Sequence, residues 1–158
     1  MLAFISLTAA SCKKDQPEVV VSPVYPISGE WYVHVYKADG ITLARPTYTT
    51  LSTYNTSDNS NNIIWMKMLT STVNYSLLAK VNCDVNAKTI SATDAVNTVF
   101  TPNVKVTILE GKVLLDATKL KGSKTIADSI YVKYKTEKDG NTYVISGHRR
   151  SQYVEDQY

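Results

Sequence analysis

The sequence predicts an all-β protein, folded as an antiparallel up-and-down barrel of about eight strands. Tyr, Thr and Val, which suit strands, are abundant, and there are eleven Tyr against two Phe in the 158 residues. Apolar and polar residues alternate in most segments after Ser28, which is the period of a strand with one buried face. These segments are short and separated by turn-forming residues such as Asp139-Gly140, as in barrels and sandwiches.

The first element is a short apolar segment, Met1 to Ala10, which comes just before Cys12. It is about half as long as a helix that spans a bilayer and suits the apolar part of a signal peptide. The small residues before Cys12 resemble the lipobox of bacterial lipoproteins, in which the cysteine is acylated. We therefore expect a signal peptide over residues 1–11, with its true start upstream because no positive residues open it. The alternative is an ordinary secreted protein with a free thiol.

We expect residues 12–27 to form a lipid-anchored tether. The stretch "DQPEVVVSPVYPIS" carries three prolines, which favour an extended chain that would hold the domain roughly 40–50 Å from the lipid. Lys13, Lys14 and Asp15 after the cysteine resemble the flank of lipoproteins from Bacteroidetes-type bacteria. We therefore expect an outer-membrane lipoprotein that faces the periplasm or the cell surface.

Residues 28–158 are expected to form the barrel domain. In "EWYVHVYK", Trp31, Val33 and Val35 alternate with polar or amphipathic residues. A polar loop, "NTSDNSNN", separates the second and third strands, and "NVKVTILEGKVLLDA" predicts two strands about a Glu110-Gly111 turn. The remaining strand segments are "TYTTLSTYN", "IIWMKML", "YSLLAKVNCDV", "KTISA" and the hairpin "TIADSIYVKYKTEKDGNTYVISGHRR".

The last hairpin favours a barrel over a sandwich. A two-residue Asp139-Gly140 turn places Tyr134 opposite Ile145 and Ile130 opposite Arg149. Arg149 then ends the inward face of the last strand, and Trp31, in "GEW", begins the inward face of the first strand. This arrangement resembles lipocalin barrels, in which the guanidinium covers the indole and closes one end, a contact of about 1–2 kcal/mol when desolvated. We assign Trp31 and Arg149 to closing the barrel.

The C-terminal stretch "DSIYVKYKTEKDGNTYVISGHRRSQYVED" is similar to the Bacteroidetes lipoprotein family known as lipid-binding putative hydrolases. The matching features are "DSI", "DGNTY" and "SGHRR", with "GEWYVHV", "STYNT" and "IIWM" earlier in the chain. The resemblance covers about residues 28–158. It implies a lipocalin-like barrel, and the family's name implies lipid binding and hydrolysis.

A barrel of this size holds packed side chains or one small ligand. The end near Lys37 and Tyr143 is expected to open, and the ligand to be a small hydrophobic molecule such as an acyl chain, a sterol or an aromatic compound. Trp65 belongs to the pocket if the odd-numbered face of "IIWMKML" points inward. The predicted pocket residues are Val33, Val35, Trp65, Leu77, Val132, Tyr134, Tyr143 and Ile145. The alternative is an interior that the side chains fill.

Catalysis is not favoured. The chain has no Gly-x-Ser-x-Gly motif, and the predicted register points Asp128 inward but Ser146 and His148 outward. His34 and His148, the two histidines, are expected to be exposed strand residues and make a poor zinc site. We expect no cofactor and no metal.

A surface interaction module, such as a glycan binder, is the alternative binding function. Outward tyrosines could stack on sugar rings, and this function predicts a row of exposed coplanar rings over a filled interior. The candidates are Tyr32, Tyr36, Tyr48, Tyr54 and Tyr131. Nucleic-acid binding is not expected, because the net charge is only +3 and no basic cluster contains aromatic residues. A monomer is expected.

Overall fold

A computed structural model describes residues 20–68 and 73–156. The predicted signal peptide, Cys12 and the first part of the predicted tether lie outside the described residues. The described residues form eight antiparallel strands, each paired with its neighbours in sequence, and the first pairs with the last to close a barrel. The predicted fold class is confirmed. The strands are β1 (Gly29–Lys37), β2 (Thr49–Asn55), β3 (Ile63–Met68), β4 (Leu77–Asp84), β5 (Thr89–Asn97), β6 (Val104–Lys119), β7 (Ile126–Thr136) and β8 (Thr142–Arg149).

The two ends of the barrel differ. Near one end of the barrel, Trp31 of β1 pairs with Arg149 of β8, and near the other end Lys37 pairs with Tyr143. We call the Trp31–Arg149 end the closed end and the Lys37–Tyr143 end the mouth. A short 3-10 turn, Val154–Asp156, follows β8 at the closed end. Within the part of the chain that the structure describes, no helix has the length and apolarity needed to cross a membrane.

The chain before β1 packs across the closed end. Val24 and Ile27 have no accessible surface, and Ile27 O accepts a hydrogen bond from the Thr53 hydroxyl at 2.7 Å. This part of the predicted tether therefore belongs to the folded domain.

β6 is one continuous strand, so the turn predicted at Glu110-Gly111 is wrong. Gly111 lies where β5 passes closely, and a Cβ there would be 2.5 Å from the carbonyl oxygen of Ile90. The pairing with β7 shifts register between Ile108 and Glu110, which is a β-bulge. Glycine in a strand permits this close backbone approach as readily as it permits a turn.

The β7–β8 register differs from the prediction by two residues. Tyr134 pairs with Tyr143 rather than Ile145, and Ile130 pairs with Gly147 rather than Arg149. The reason is a longer loop: Lys135 and Thr142 form the last pair of the ladder, and the chain turns through residues 137–141. A shift of two residues leaves each side chain on the same face, so the predicted inward and outward positions are unchanged.

β3 turns its even-numbered residues inward, and Ile64, Met66 and Met68 have no accessible surface. Trp65 therefore lies on the outer face, where the Lys80 ammonium is 5.2 Å from its ring centroid. The expectation that Trp65 points inward is wrong. The opposite orientation would bury Lys67, whose charge is costly to remove from water.

Candidate functional site

The closed end is sealed by Arg149 lying over Trp31. The guanidinium carbon is 4.3 Å from the centroid of the Trp31 ring, and Trp31 has no accessible surface. The indole Nε1 donates to the Thr53 hydroxyl at 3.0 Å, so the polar atom of this buried ring is satisfied. The structure thus brings together the two residues that the sequence assigned to barrel closure.

Arg149 also joins three segments of chain. Its Nε donates to Asp128 Oδ2 at 2.8 Å, its Nη1 to the carbonyl oxygen of Ser28 at 2.7 Å, and its Nη2 to that of Pro26. Asp128 comes from β7, whereas Ser28 and Pro26 precede β1. The arginine therefore fastens the N-terminal segment across the closed end.

The interior of the barrel is filled with side chains. A void large enough for water would leave accessible surface on the side chains around it, and six of the predicted pocket residues have none. In this structure a ligand therefore does not fit beside them. These six residues are Val33, Val35, Leu77, Val132, Tyr134 and Ile145.

Three tyrosines form the top of this core at the mouth. Tyr134 is fully buried, and its hydroxyl donates to the carbonyl oxygen of Tyr75 at 2.6 Å. The ring of Tyr143 lies 5.5 Å from that of Tyr75 and 6.0 Å from that of Tyr134, centroid to centroid. Tyr75 and Tyr143 are each 9% exposed, so they separate the filled interior from solvent.

The hydroxyl of Tyr143 points to the mouth loop. It donates to Asp139 Oδ2 at 2.6 Å. Burial and the hydrogen bond to this carboxylate raise the pKa of Tyr143 to about 12. At neutral pH the side chain is therefore a neutral hydrogen-bond donor, and its ring is held in one orientation.

A depression of about 530 Å³ lies outside these tyrosines, which is within the range of small-molecule sites. Two aromatic rings and two alanines contribute apolar surface, and an ammonium, an amide and a hydroxyl contribute polar groups. Its lining consists of Lys37, Ala38, Ala44, Tyr75, Asn141, Thr142 and Tyr143.

The sequence anticipated this site only in part. Tyr143 is the single member of the predicted pocket that lines the depression. Tyr75 was missed, although it begins the alternating series that continues through Leu77 and Ala79. Ala44 lies in an irregular loop and is placed by backbone contact with Val35 O, for which the sequence carries no periodic signal.

The two histidines lie on the outer face but are not exposed. His148 is 7% exposed, and the ring of Tyr48 lies 3.7 Å from that of His34, centroid to centroid. Burial, and to a smaller extent Lys121, lowers the pKa of His34. The expectation of exposed histidines is wrong, because aromatic side chains from the same face cover them.

The outer face does not form the arrangement that a glycan-stacking platform needs. Tyr54 is 37% exposed, whereas the other four candidate tyrosines are half-buried. Two neighbouring pairs of rings meet edge-on, at 71° for Tyr32 and His148 and 64° for His34 and Tyr36. The rings of His34 and Tyr48 are tilted by 38° and are not coplanar. The filled interior predicted by that alternative is present, but the row of exposed coplanar rings is not.

Asp128 is engaged with Arg149 at the closed end, while Ser146 pairs with His34 on the outer face. Asp128 is thus held away from Ser146 and His148, the other two residues that a catalytic triad would combine with it. Among residues 20–68 and 73–156, no three His, Cys, Asp or Glu side chains are grouped so that they could hold a metal ion.

Comparison with known proteins agrees with the barrel and with a lipid-related role. No curated protein sequence matches the chain. A family model described as lipid-binding putative hydrolase matches residues 16–154, which include every strand of the barrel. The chain belongs to the lipid-binding putative hydrolase family.

Proposed function

We propose that the protein binds a small lipid-like molecule non-covalently at the mouth of the barrel. The observation that carries the proposal is the depression over Tyr75 and Tyr143, where aromatic core side chains reach the surface beside polar groups. An apolar moiety would lie against the two rings, and a carboxylate or phosphate would reach the Lys37 ammonium. The family description supports the lipid-like character of the ligand.

The ligand is assigned to the mouth rather than to the barrel axis. Entry along the axis requires Tyr143 to leave Asp139 and Tyr134 to leave the Tyr75 carbonyl, two hydrogen bonds of 2.6 Å. It also requires displacement of fully buried aliphatic side chains such as Val35 and Ile145. Binding over the rings requires neither change.

The proposed activity is binding without chemistry. Covalent catalysis needs a nucleophile beside a base. At the mouth the Tyr143 hydroxyl already donates to Asp139, and a pKa of about 12 keeps it protonated at neutral pH. The site is therefore suited to holding a molecule rather than to attacking it.

The proposal includes a monomeric lipoprotein of a Bacteroidetes-type bacterium, anchored in the outer membrane through acylated Cys12. The support is the sequence: an apolar segment, small residues before the cysteine, and Lys13, Lys14 and Asp15 after it. Mass spectrometry of the protein isolated from its native membrane tests the anchor, since acylation adds a defined mass to the N-terminal peptide. An unmodified, uncleaved Cys12 peptide would contradict it.

Titration with a fluorescent fatty acid tests the ligand site. Tyr143→Ala removes one ring of the floor and should weaken binding roughly tenfold or more, because an aromatic ring contributes about 1–3 kcal/mol of apolar contact. Tyr143→Phe keeps the ring and should retain most of the affinity. Tyr131→Ala, on the outer face, is the matched control and should bind as the unmodified protein does. Equal affinity in all three variants, each shown to be folded by circular dichroism, would refute a site at the mouth.

A further inference from the structure

Exposed apolar side chains gather around the closed end of the barrel. Their exposed fractions run from 52% to 94%, although nothing in the barrel requires them to face solvent. All lie where the chain enters or leaves a strand at this end. We call this set the closed-end apolar rim: Val20, Val21, Tyr25, Ile126, Tyr153 and Val154.

The rim is held in place by buried neighbours. Val24 and Ile27 pack with no accessible surface and fix the segment that carries Val20, Val21 and Tyr25. At the other side of the end, Asp156 is fully buried. Its carboxylate accepts hydrogen bonds from the Ser123 backbone N–H at 2.9 Å and the Ser151 hydroxyl at 2.6 Å. Both segments thus present their apolar side chains from a fixed backbone.

The chain beyond the described residues leaves from this rim. Only seven residues lie between Cys12 and Val20. The eight residue steps from Cys12 to Val20 span at most about 28 Å when fully extended. A membrane that held Cys12 would therefore lie within about 28 Å of Val20, which belongs to the rim.

The charges around the rim are compatible with phospholipid. The carboxylates of Asp128 and Glu30 are each bound to an arginine, at 2.8 Å and 2.6 Å. On the neighbouring β6–β7 hairpin, Lys119 and Lys124 are exposed, whereas the one exposed acidic residue of the Val154–Asp156 turn is Glu155. Ammonium groups beside exposed apolar side chains are the composition of surfaces that rest in a lipid headgroup region.

We propose that the closed-end apolar rim docks on the surface of a phospholipid bilayer, with the mouth directed away from it. The choice of a bilayer as the partner rests on the proposed membrane attachment near Cys12, whereas the residues of the rim are separate from the proposed ligand site. The contact itself is made by the rim and can be measured without acylation.

Vesicle flotation with the full-length chain carrying Cys12→Ser tests this contact. The vesicles are phosphatidylcholine with phosphatidylglycerol. Replacing Ile126 and Val154 together with serine should lower the partition coefficient roughly tenfold, because two apolar contacts with the bilayer are lost. Both side chains are more than half exposed, so we expect the doubly substituted protein to fold normally. The matched control replaces Ile41 and Leu43, which are exposed at the mouth, with serine. It should change the partition coefficient less than twofold.

The comparison separates the rim from the N-terminal apolar segment, which is present in every variant. If both pairs of substitutions lower partitioning equally, or if neither does, the proposed contact is overturned. Fluorophores attached at Val154→Cys or Ile41→Cys give a second readout with nitroxide-labelled lipid. Quenching is expected at position 154 and not at 41, and the reverse pattern would also overturn the proposal.

Discussion

Two adjacent arginines test the physical account of barrel closure, because only one of them is substantially buried. Arg149 stacks 4.3 Å from the Trp31 ring and binds Asp128 and two carbonyl oxygens. The exposed fractions of the Arg149 and Asp128 side chains are 25% and 17%. Arg150 binds Glu30 at 2.6 Å and lies 5.6 Å from the Tyr32 ring, with 45% and 51% of the paired side chains exposed.

Arg149→Ala should cost about 3 kcal/mol of unfolding free energy. The cation–π contact contributes about 1–2 kcal/mol, and the carboxylate and carbonyl oxygens left without donors add a penalty of similar size. Arg150→Ala should cost about 0–1 kcal/mol, because water screens an exposed ion pair. For a chain of this length the difference corresponds to roughly 4–12 °C in melting temperature.

Urea unfolding followed by circular dichroism measures both variants. Arg149→Lys is the informative third variant, because an ammonium cannot donate to three differently placed oxygens while lying flat on the indole. We expect it to recover less than half of the lost stability. If Arg149→Ala and Arg150→Ala unfold within about 1 kcal/mol of each other, the stacked arginine does not hold the end of the barrel.

Three further outcomes follow from local geometry. Gly147→Ala should destabilise the fold by about 3 kcal/mol or more, since its Cβ would overlap the Tyr32 carbonyl and lie 2.6 Å from the Val33 Cα; a normal urea midpoint would contradict this. Burial and its carboxylate partner raise the pKa of Tyr143 to about 12, so the stability that it contributes below about pH 10 should disappear as the pH rises to about 12. Tyr143→Phe should flatten that decline in urea midpoints, and an unchanged decline would argue against it. Burial and Lys121 lower the pKa of His34 from 6.5, so stability should fall as the pH drops below that value. His34→Gln should lose less stability than the parent protein between about pH 7 and pH 5, and a parallel loss would show that His34 is not the group responsible.

The barrel was predictable because its signal is repeated along the chain. Alternation on most strands specifies a face, and a face is insensitive to register errors of two residues. The β7–β8 hairpin illustrates this: its loop was predicted too short, yet Val132, Tyr134 and Ile145 still point inward. The prediction that Trp65 points inward was wrong because the pattern on β3 does not specify a face. Both faces of β3 begin with an isoleucine, and only Lys67 distinguishes them.

The mouth and the outer face depend on contacts between distant parts of the chain. The environment of His148 is set partly by Tyr48, which is 6.1 Å away between ring centroids but far away in sequence. Likewise, Tyr75 is placed by the Tyr134 hydroxyl across the barrel. No local pattern records such contacts, because they arise only when the strands close on one another. The same applies to the rim, whose members come from three separate places in the chain.

Because the interior of the barrel is filled, a ligand must bind at the surface, and the closed end and the mouth offer different surfaces. An eight-stranded barrel is narrow, and here Trp31, the methionines of β3 and Tyr134 occupy its axis. At the closed end the core meets Arg149, which is already bound to three oxygens and to an indole face, and has little capacity for a further partner. At the mouth the core ends in the rings of Tyr75 and Tyr143, each 9% exposed, next to the exposed Lys37. A bilayer held at the closed end would leave this amphipathic surface free to meet its ligand.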